Sequence, residues 1–465
     1  MDTNLLAPNS TAPGPRYRAL ADRICAAVDA GDLAPGEKLP PVRDLAFALK
    51  ISPGAVARAY RLGQERGVLE ATVGSGTYVR GSMRAPEFAF AGITAARDPG
   101  MIDLRGNQAA DVGQEAEIGA ALERILRRWV GRPPLLGYRR REDDPEFLSI
   151  LSGWLVQAGV PAAPDRLIVT TGAQAGVVAV LSLLGRGGAG VVLTDTTSYP
   201  GFRDGAAMLG ERMEPIASDG EGVQPDALDA ACARLRPDAI LLSPTLHNPT
   251  LATMGPARRA AVVAVARRHG VQIVEDDVYG RLMEPTPTPL AALAPDLVWH
   301  VTSFSKCVAA GLRVGLILAP EGRAEAGMRA YQAFAHQNPW ISAALATELV
   351  ATGEAEAIRK RVAAETSRRA ARAAALLGPY GARTHPAASF AFLPLGEEWS
   401  AGEFVAAAAA EGVLVPPAAS YRVGRNGAVF ARIALSGRAA PETVEEGLMR
   451  LARVLAAGPD PAPAT

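Results

Sequence analysis

The first periodic stretch of the chain lies at Tyr17–Ala30, where Leu20, Ile24, Ala27 and Val28 recur at helical spacing and Gly31 ends the run. A short helix is expected over Pro41–Leu49, with Pro41 in the first turn, where its missing N–H costs nothing. Ser52 is placed to cap a third helix over Pro53–Gln64. Two β-like runs follow, Val68–Thr72 and Thr77–Arg80, joined by VGSG, a hairpin signal. Three helices followed by a hairpin describe a winged helix-turn-helix over 16–82. From about residue 100 to 457 the texture changes. Short β-branched runs (RLIVTTG, GVVLTD, AILLSPT, VQIVEDD, LVWHVTSFSK and VGLILA) alternate with long Ala/Leu-rich helical stretches, of which Arg359–Leu377 is one. That alternation predicts a largely parallel α/β sheet covered on both faces. Ligands of such sheets sit at the C-terminal strand ends.

Composition narrows the function classes. The 465 residues carry 48 basic and 48 acidic side chains, so no global field draws the chain to nucleic acid or membrane. An apolar share of 49% and a charged share of 21% exclude a mainly disordered chain. No run approaches the ~20 apolar residues of a membrane span. The start, MDTNLLAPNSTAPGPR, has no basic segment leading into an apolar one, so no signal peptide is read there. Three cysteines, Cys25, Cys232 and Cys307, fit a reducing, cytoplasmic setting rather than a disulfide framework. The five histidines lack metal-ligand spacing. The first 15 residues and 458–465, rich in Pro, Ala, Ser and Asn, read as loose tails.

Charge is not evenly spread, however. Between 41 and 84 stand seven basic residues (Arg43, Lys50, Arg58, Arg61, Arg66, Arg80, Arg84) against Asp44, Glu65 and Glu70. Such a local patch is what phosphate attraction needs. A small helical dimerisation module with a solvated basic face is the other reading of the same residues.

In the larger part, polar clusters stand where strands end. Lys306 follows an apolar run in TSFSK; an amine there acts as a nucleophile once desolvation or a nearby cation lowers its pKa, and Arg313 in GLRVG is such a cation. A solvated strand-end lysine is the bland alternative. EDDVYG places Asp276 and Asp277 after VQIV: a metal pair, a solvated loop, or an anchor for a protonated ring nitrogen. Asn248 in HNPT offers a donor amide, although Asn-Pro is also a turn signal. TTGAQAG at 170–176 opens a helix whose free N–H groups suit a phosphate. Tyr199 in TSYPG supplies an aromatic plane or merely covers a core edge.

Two resemblances draw these fragments together. KLPPVRDLAFALKISPGAVARAYRLGQERGVLEATVGSGTYV is similar to the winged helix-turn-helix of the GntR transcription factors. That resemblance implies DNA contacts from Arg43 and Arg58 and a minor-groove approach by Gly74, Gly76 and Thr77. Pro53 and Ala55 stand where many members carry Arg and Thr. The ordered clusters of the larger part resemble the class I, fold-type-I aminotransferases that use pyridoxal 5′-phosphate. Carried over, Lys306 forms the Schiff base, Asp276 pairs with the pyridinium, Asn248 and Tyr279 bond the 3-hydroxyl, and Tyr199 stacks on the ring. Ser303, Arg313 and the backbone at Gly172, Ala173 and Gln174 grip the phosphate, and Arg432 in FARIALS forks onto a ligand carboxylate. Leu251, Pro417-Ala418 and the stretch around Tyr138 depart from the family pattern.

The two together resemble the MocR subfamily over nearly the whole chain. The expected architecture is multidomain α/β: a DNA-binding domain at 16–82, a linker at 83–100, and an aminotransferase-like effector and dimerisation domain at 101–457 with a smaller α+β C-terminal part. The implied function is a cytoplasmic regulator of a double-stranded DNA operator, a head-to-tail homodimer sensing a small amino compound by aldimine formation. A working aminotransferase with an accessory DNA-binding domain is the second reading, and a ligand-free dimerisation scaffold the third.

Overall fold

A computed structural model of the chain describes residues 6, 15–30, 32–33, 37–72, 76–80, 100–128, 137–138, 143–187, 190–424, 429–436 and 439–459. The tails and the linker expected from the sequence lie largely outside these residues.

The N-terminal unit is built from α1 (Arg16–Ala30), α2 (Val42–Leu49) and α3 (Pro53–Glu65), followed by strands β1 (Leu69–Thr72) and β2 (Gly76–Val79). Ser52 Oγ accepts from Ala55 N at 3.2 Å, satisfying an orphan donor of α3. Strands β1 and β2 pair antiparallel with Leu69 opposite Val79, and Lys38 bridges to Tyr78 at the hairpin's outer edge. Leu20, Ile24, Leu45, Val56, Tyr60, Leu69 and Val79 form its separate buried core.

The larger part opens with β3 (Ile102–Asp103). Its main sheet takes β4 (Leu167–Thr170), β5 (Val191–Asp195), β6 (Arg212–Ile216), β9 (Ala239–Leu242), β10 (Gln272–Asp276), β11 (Val298–Ser303) and β12 (Gly315–Leu318). Between them, Ser218–Asp219 (β7) and Gly222–Val223 (β8) form a small hairpin. The sheet order is β4-β12-β11-β10-β9-β5-β6. All six sequence-predicted runs are in it, and the pairing is parallel except that β12 runs against both its neighbours. Every residue of β5, β9, β11 and β12 is buried, as strands covered on both faces must be.

A smaller C-terminal lobe pairs β13 (Phe390–Pro394) with β15 (Phe430–Ala434) antiparallel, against the helices Glu354–Leu377 and Pro441–Ala457. Strand β3 joins this lobe by pairing with β14 (Val413–Leu414). The chain therefore enters the body through the small lobe, and residues just after β3 pass beside the ends of β10 and β11.

The winged helix rests on that lobe. Arg58 Nη2 donates to the Glu398 carbonyl at 2.5 Å, Arg61 pairs with Glu403 at 2.6 Å, and Tyr17 Oη donates to the Glu397 carbonyl at 3.2 Å.

Candidate cofactor and ligand site

One cavity of about 650 Å³ opens at the C-terminal ends of the central strands. Ala173, Gln174, Tyr199, Asn248, Asp276, Tyr279, Ser303, Lys306, Arg313 and Arg432 all line it. Of the sequence-predicted cofactor and ligand residues only Gly172 does not, and it stands directly behind the wall as N-cap of the helix Ala173–Leu184.

That helix begins at a backbone turn no other residue would make easily. Gly172 has φ +109, and a Cβ there would lie 2.6 Å from Arg313 Nη2. Gly315 packs behind it so tightly that its own Cβ would sit 2.5 Å from the Gly172 carbonyl carbon. Arg313 Nη2 donates to the Thr171 carbonyl at 2.9 Å, beside the helix N-terminus. Free N–H groups, the positive end of the helix dipole and a guanidinium thus converge, as an anion requires.

Tyr199 caps the next helix, Pro200–Met208, and its hydroxyl meets Gln174 Oε1 at 3.4 Å. Gly201 is pressed against the same pair: a Cβ there would be 2.4 Å from Gln174 Oε1.

Asp276 ends β10 and Asp277 follows it directly, so the two face opposite ways. Asp276 faces the cavity. Its Oδ2 accepts from Ser243 Oγ at 2.9 Å, while Oδ1 is buried with no partner among the described residues. Burial, with Asp277 adding to it, pushes the Asp276 carboxyl up to about 7. Asp277 does not line the cavity; the charges acting on it are those of His300, Glu275 and Arg259 behind the strand.

Lys306 Nζ donates to the Asn107 carbonyl at 2.6 Å. Burial lowers its amine to about 8, and the Arg432 and Arg313 cations push the same way against Asp276. Asn107, which the sequence did not single out, is a hub. Its Nδ2 donates to Tyr279 Oη at 2.8 Å, and its Oδ1 accepts from Ser389 Oγ at 2.7 Å and Ser436 Oγ at 2.8 Å. Burial raises the Tyr279 phenol well above its ordinary value, so it stays protonated. Asn248 Oδ1 is another buried acceptor without a partner among the described residues.

Arg432, on β15, is 2% exposed. Its Nε donates to Tyr421 Oη at 2.7 Å; Nη2 donates to Tyr421 Oη and, at 2.6 Å, to the Arg105 carbonyl. Nη1 is buried and unpartnered among the described residues. Tyr421 and Arg105 were also missed by the sequence reading. Their only signal was the tyrosine in ASYRV, and Arg105 acts through backbone, which leaves no residue-type signature.

The unpartnered atoms test what group belongs here. Asp276 Oδ1 wants a proton donor, Asn248 Oδ1 faces the same space, Lys306 offers an amine, and the helix at Ala173 wants an anion. A phosphorylated pyridine aldehyde carrying a ring hydroxyl fits all four. The residues present suit pyridoxal 5′-phosphate.

Other candidate chemistry falls away. Cys307 is buried and burial pushes its thiol up to about 11, so it is a packing residue. Among the described residues no His/Cys/Asp/Glu group could hold a metal, and no helix is long and apolar enough to cross a membrane. Tyr138 is 84% exposed and packs edge-on against His336, outside the Lys306 cavity. On the winged helix, Arg43 is exposed on α2, while Arg58 is turned to the body and also lies 4.8 Å over the Tyr17 ring. Gly76 (φ +124) and Thr77 begin β2 at the wing; Gly74 lies outside the described residues.

Comparison with known proteins matches this geometry. Residues 100–451 match the aminotransferase class I and II family, and residues 16–79 match the gntR family of bacterial regulatory proteins. The chain therefore belongs to the class I and II aminotransferase family, whose cofactor is pyridoxal 5′-phosphate. The gntR-type head in front of that fold places it among the transcriptional regulators of the MocR type. It is 28% identical over 456 residues to the uncharacterized HTH-type transcriptional regulator YdeF of Bacillus subtilis (strain 168), covering 95% of this chain and 94% of that one. It is 25% identical over 364 residues to the probable rhizopine catabolism regulatory protein MocR of Rhizobium meliloti, covering 73% and 72%. Among solved structures, the kynurenine aminotransferase of Pyrococcus horikoshii superposes with a TM-score of 0.71 at 19% identity, over 81% of this chain and 95% of that one.

Proposed function

We propose that this protein controls transcription by binding duplex DNA through residues 16–82, and that a small amino compound entering the Lys306 cavity sets that binding. Residues 83–100 are the linker and 101–457 the sensing and dimerising unit. Two copies assemble head to tail in the cytoplasm, each winged helix leaving the seat it holds on its own small lobe at Glu397, Glu398 and Glu403 for the same seat on the other copy. The observation that carries the reading is that Lys306, Asp276, Asn248 and Arg432 line one cavity, with Asp276 Oδ1, Asn248 Oδ1 and Arg432 Nη1 buried and unpartnered among the described residues.

When bound, pyridoxal 5′-phosphate supplies an aldehyde that condenses reversibly with primary amines. The protein's own residues make that exchange selective. Lys306, lowered to about 8, is partly neutral and so nucleophilic near neutral pH. Asp276 holds a ring proton in place by hydrogen bond and charge. The Ala173 helix N-terminus and Arg313 bind the anion that orients the ring. With the cofactor held, Lys306 would be the amine against which a ligand amine competes, and a ligand's anionic group would lie beside Arg432, altering the contacts between the lobes. If it favours one arrangement, DNA affinity shifts by the same coupling, typically ~1–3 kcal/mol.

The test is absorbance of the purified protein with and without borohydride, followed by peptide mass analysis. A pyridoxyl adduct on the peptide bearing Lys306 is expected, and Lys306→Ala abolishes the response of DNA affinity to amines while leaving a folded protein. A normal amine response in that variant overturns the proposal. The second reading, a working aminotransferase, rests on the completeness of the same set of groups. Sustained turnover with a keto-acid acceptor at ~1–10³ per second favours it.

A further inference from the structure

In a helix-turn-helix the second helix lies in the major groove, its N-terminal residues meet the base edges, and the first helix crosses the backbone. Here α2 is the first helix and α3 the second, so the residues offered to bases are those of the first two turns of α3, Pro53–Tyr60, PGAVARAY. Arg58 and Tyr60 carry the polar side chains of that stretch, and both are engaged. Tyr60 is 3% exposed, and its hydroxyl donates to the Pro40 carbonyl at 2.7 Å. Arg58 is half-buried, donates to the Glu398 carbonyl and lies over the ring of Tyr17 on α1. The ring contact is internal to the winged helix, so it holds Arg58 wherever that domain sits.

The positions left facing outward are Pro53, Gly54 and Ala57, with Ala55 half-buried beside them. None of the four can donate or accept a hydrogen bond through its side chain, and Pro53 lacks even the backbone N–H. Ser52 Oγ already accepts from Ala55 N, and the hydroxyl proton that remains suits more than one base, or a phosphate. Packing does not demand these residues. A Cβ on Gly54 would meet nothing within 4 Å, and glycine inside a helix is unfavourable. Basic side chains stand instead on the helix that crosses the backbone: Arg43 is exposed on α2, and Lys50 is exposed at its C-cap.

We infer that this winged helix reads its operator without side-chain hydrogen bonds from α3 to base edges: Pro53, Gly54, Ala55 and Ala57 meet thymine methyl groups and the shape of the groove, while Arg43 and Lys50 hold phosphates. The inference rests on the proposed DNA binding and says which duplex that binding selects. The thymine methyl is the major-groove group that an apolar side chain recognises, so A·T pairs stand where α3 enters. A guanine there would have its N7 and O6 acceptors stripped of water and given no donor in return. Beyond those pairs, selection falls on steps whose deformability suits the bound shape.

The experiment uses the full-length protein and a duplex that it enriches from a random pool, followed by polarisation titrations of that duplex with single replacements. Deoxyuridine in place of thymidine removes the methyl alone, and a deazapurine removes the N7 acceptor alone. Deoxyuridine at one or more positions is expected to weaken binding about fourfold, the worth of one buried methyl, while every deazapurine stays within about twofold. A deazapurine that costs about tenfold or more, the size of a two-point contact to a purine, overturns the inference. So does a duplex in which no deoxyuridine has an effect, or a pool from which no sequence is enriched. Ala57→Gln, at an exposed helical position, supplies the missing donor and acceptor. On a duplex enriched by that variant, one deazapurine is expected to cost about tenfold, and no such dependence means that α3 does not face the bases. Failure of both proteins to bind any duplex sinks the DNA-binding proposal itself, whereas binding through a purine N7 in the parent leaves that proposal standing and removes the inference alone.

Discussion

Lys306 donates from its amine to the backbone carbonyl of Asn107, 199 residues earlier in the chain, at 2.6 Å. A single residue after β3 thereby holds Lys306 by its backbone and the Tyr279 phenol by its side chain. Asn107→Ala keeps the first contact and removes the second, leaving Tyr279, Ser389 and Ser436 short of a partner. Denaturant unfolding is expected to show a loss of about 1–3 kcal/mol, while borohydride still fixes the cofactor on Lys306. Loss of the adduct with full stability is the contrary result.

The lysine's depressed pKa has a pH signature. In the cofactor-free chain burial holds Lys306 at about 8, below its ordinary 10.5, so the native state binds fewer protons than the unfolded one between those values. Stability from this group therefore rises with pH across that window. The rate of cofactor capture, followed by stopped-flow absorbance, rises up to about pH 8 and then levels as the amine becomes fully neutral. Arg432→Gln removes one of the cations that lowers the amine and moves the midpoint upward. A rate still climbing well above pH 9 (about one unit past the midpoint) counts against this assignment.

Two nearby glycines separate a packing constraint from mere turn propensity. A Cβ on Gly315 meets backbone at 2.5 Å and 2.8 Å, whereas one on Gly311 meets nothing within 4 Å. Gly315→Ala is expected to cost more than about 3 kcal/mol and to abolish cofactor retention, because the backbone it strikes is the turn at Gly172 proposed to hold the anion. Gly311→Ala stays within about 1 kcal/mol of the parent. Thermal melts of the two variants decide it.

On the winged helix, the arginines proposed to contact DNA are not equivalent. Arg43 is exposed, but Arg58 is committed to Glu398 and Tyr17. Arg43→Ala should reduce the slope of log affinity against log salt by about one on a mixed-sequence duplex. Arg58→Ala should change it by less than half of that, unless the head turns fully away from the body when DNA binds. Polarisation titrations across a salt series give both slopes.

Much of this molecule was legible in its residues, for specific reasons. Six strands declared themselves because they are buried on both faces and therefore run continuously apolar. Strand β6, RMEPI, did not: it is the sheet's edge, and exposed Arg212 and Pro215 hide it in the pattern. Nor did the reversed direction of β12, since an apolar run carries no direction. The cavity's main groups, from Lys306 to Asn248, stood at strand ends, where motif and position coincide. Asn107, Ser243, Tyr421 and the Arg105 carbonyl were silent. They reach the site across long sequence separations or through backbone, and only tertiary packing gives them a role.

The seat of the winged helix has a consequence of its own. It is made of rim contacts, with Arg61 and Glu403 54% and 32% exposed. Pairs of that kind contribute at most about 1 kcal/mol each and fade in salt. Such a seat cannot tell its own head from another copy's, because the matching surfaces are identical; the tether decides who sits there, through the local concentration it imposes. The DNA reader is therefore moored rather than welded. It is free to leave and to dock again, and under the proposed regulation the body would govern it by changing the odds of return.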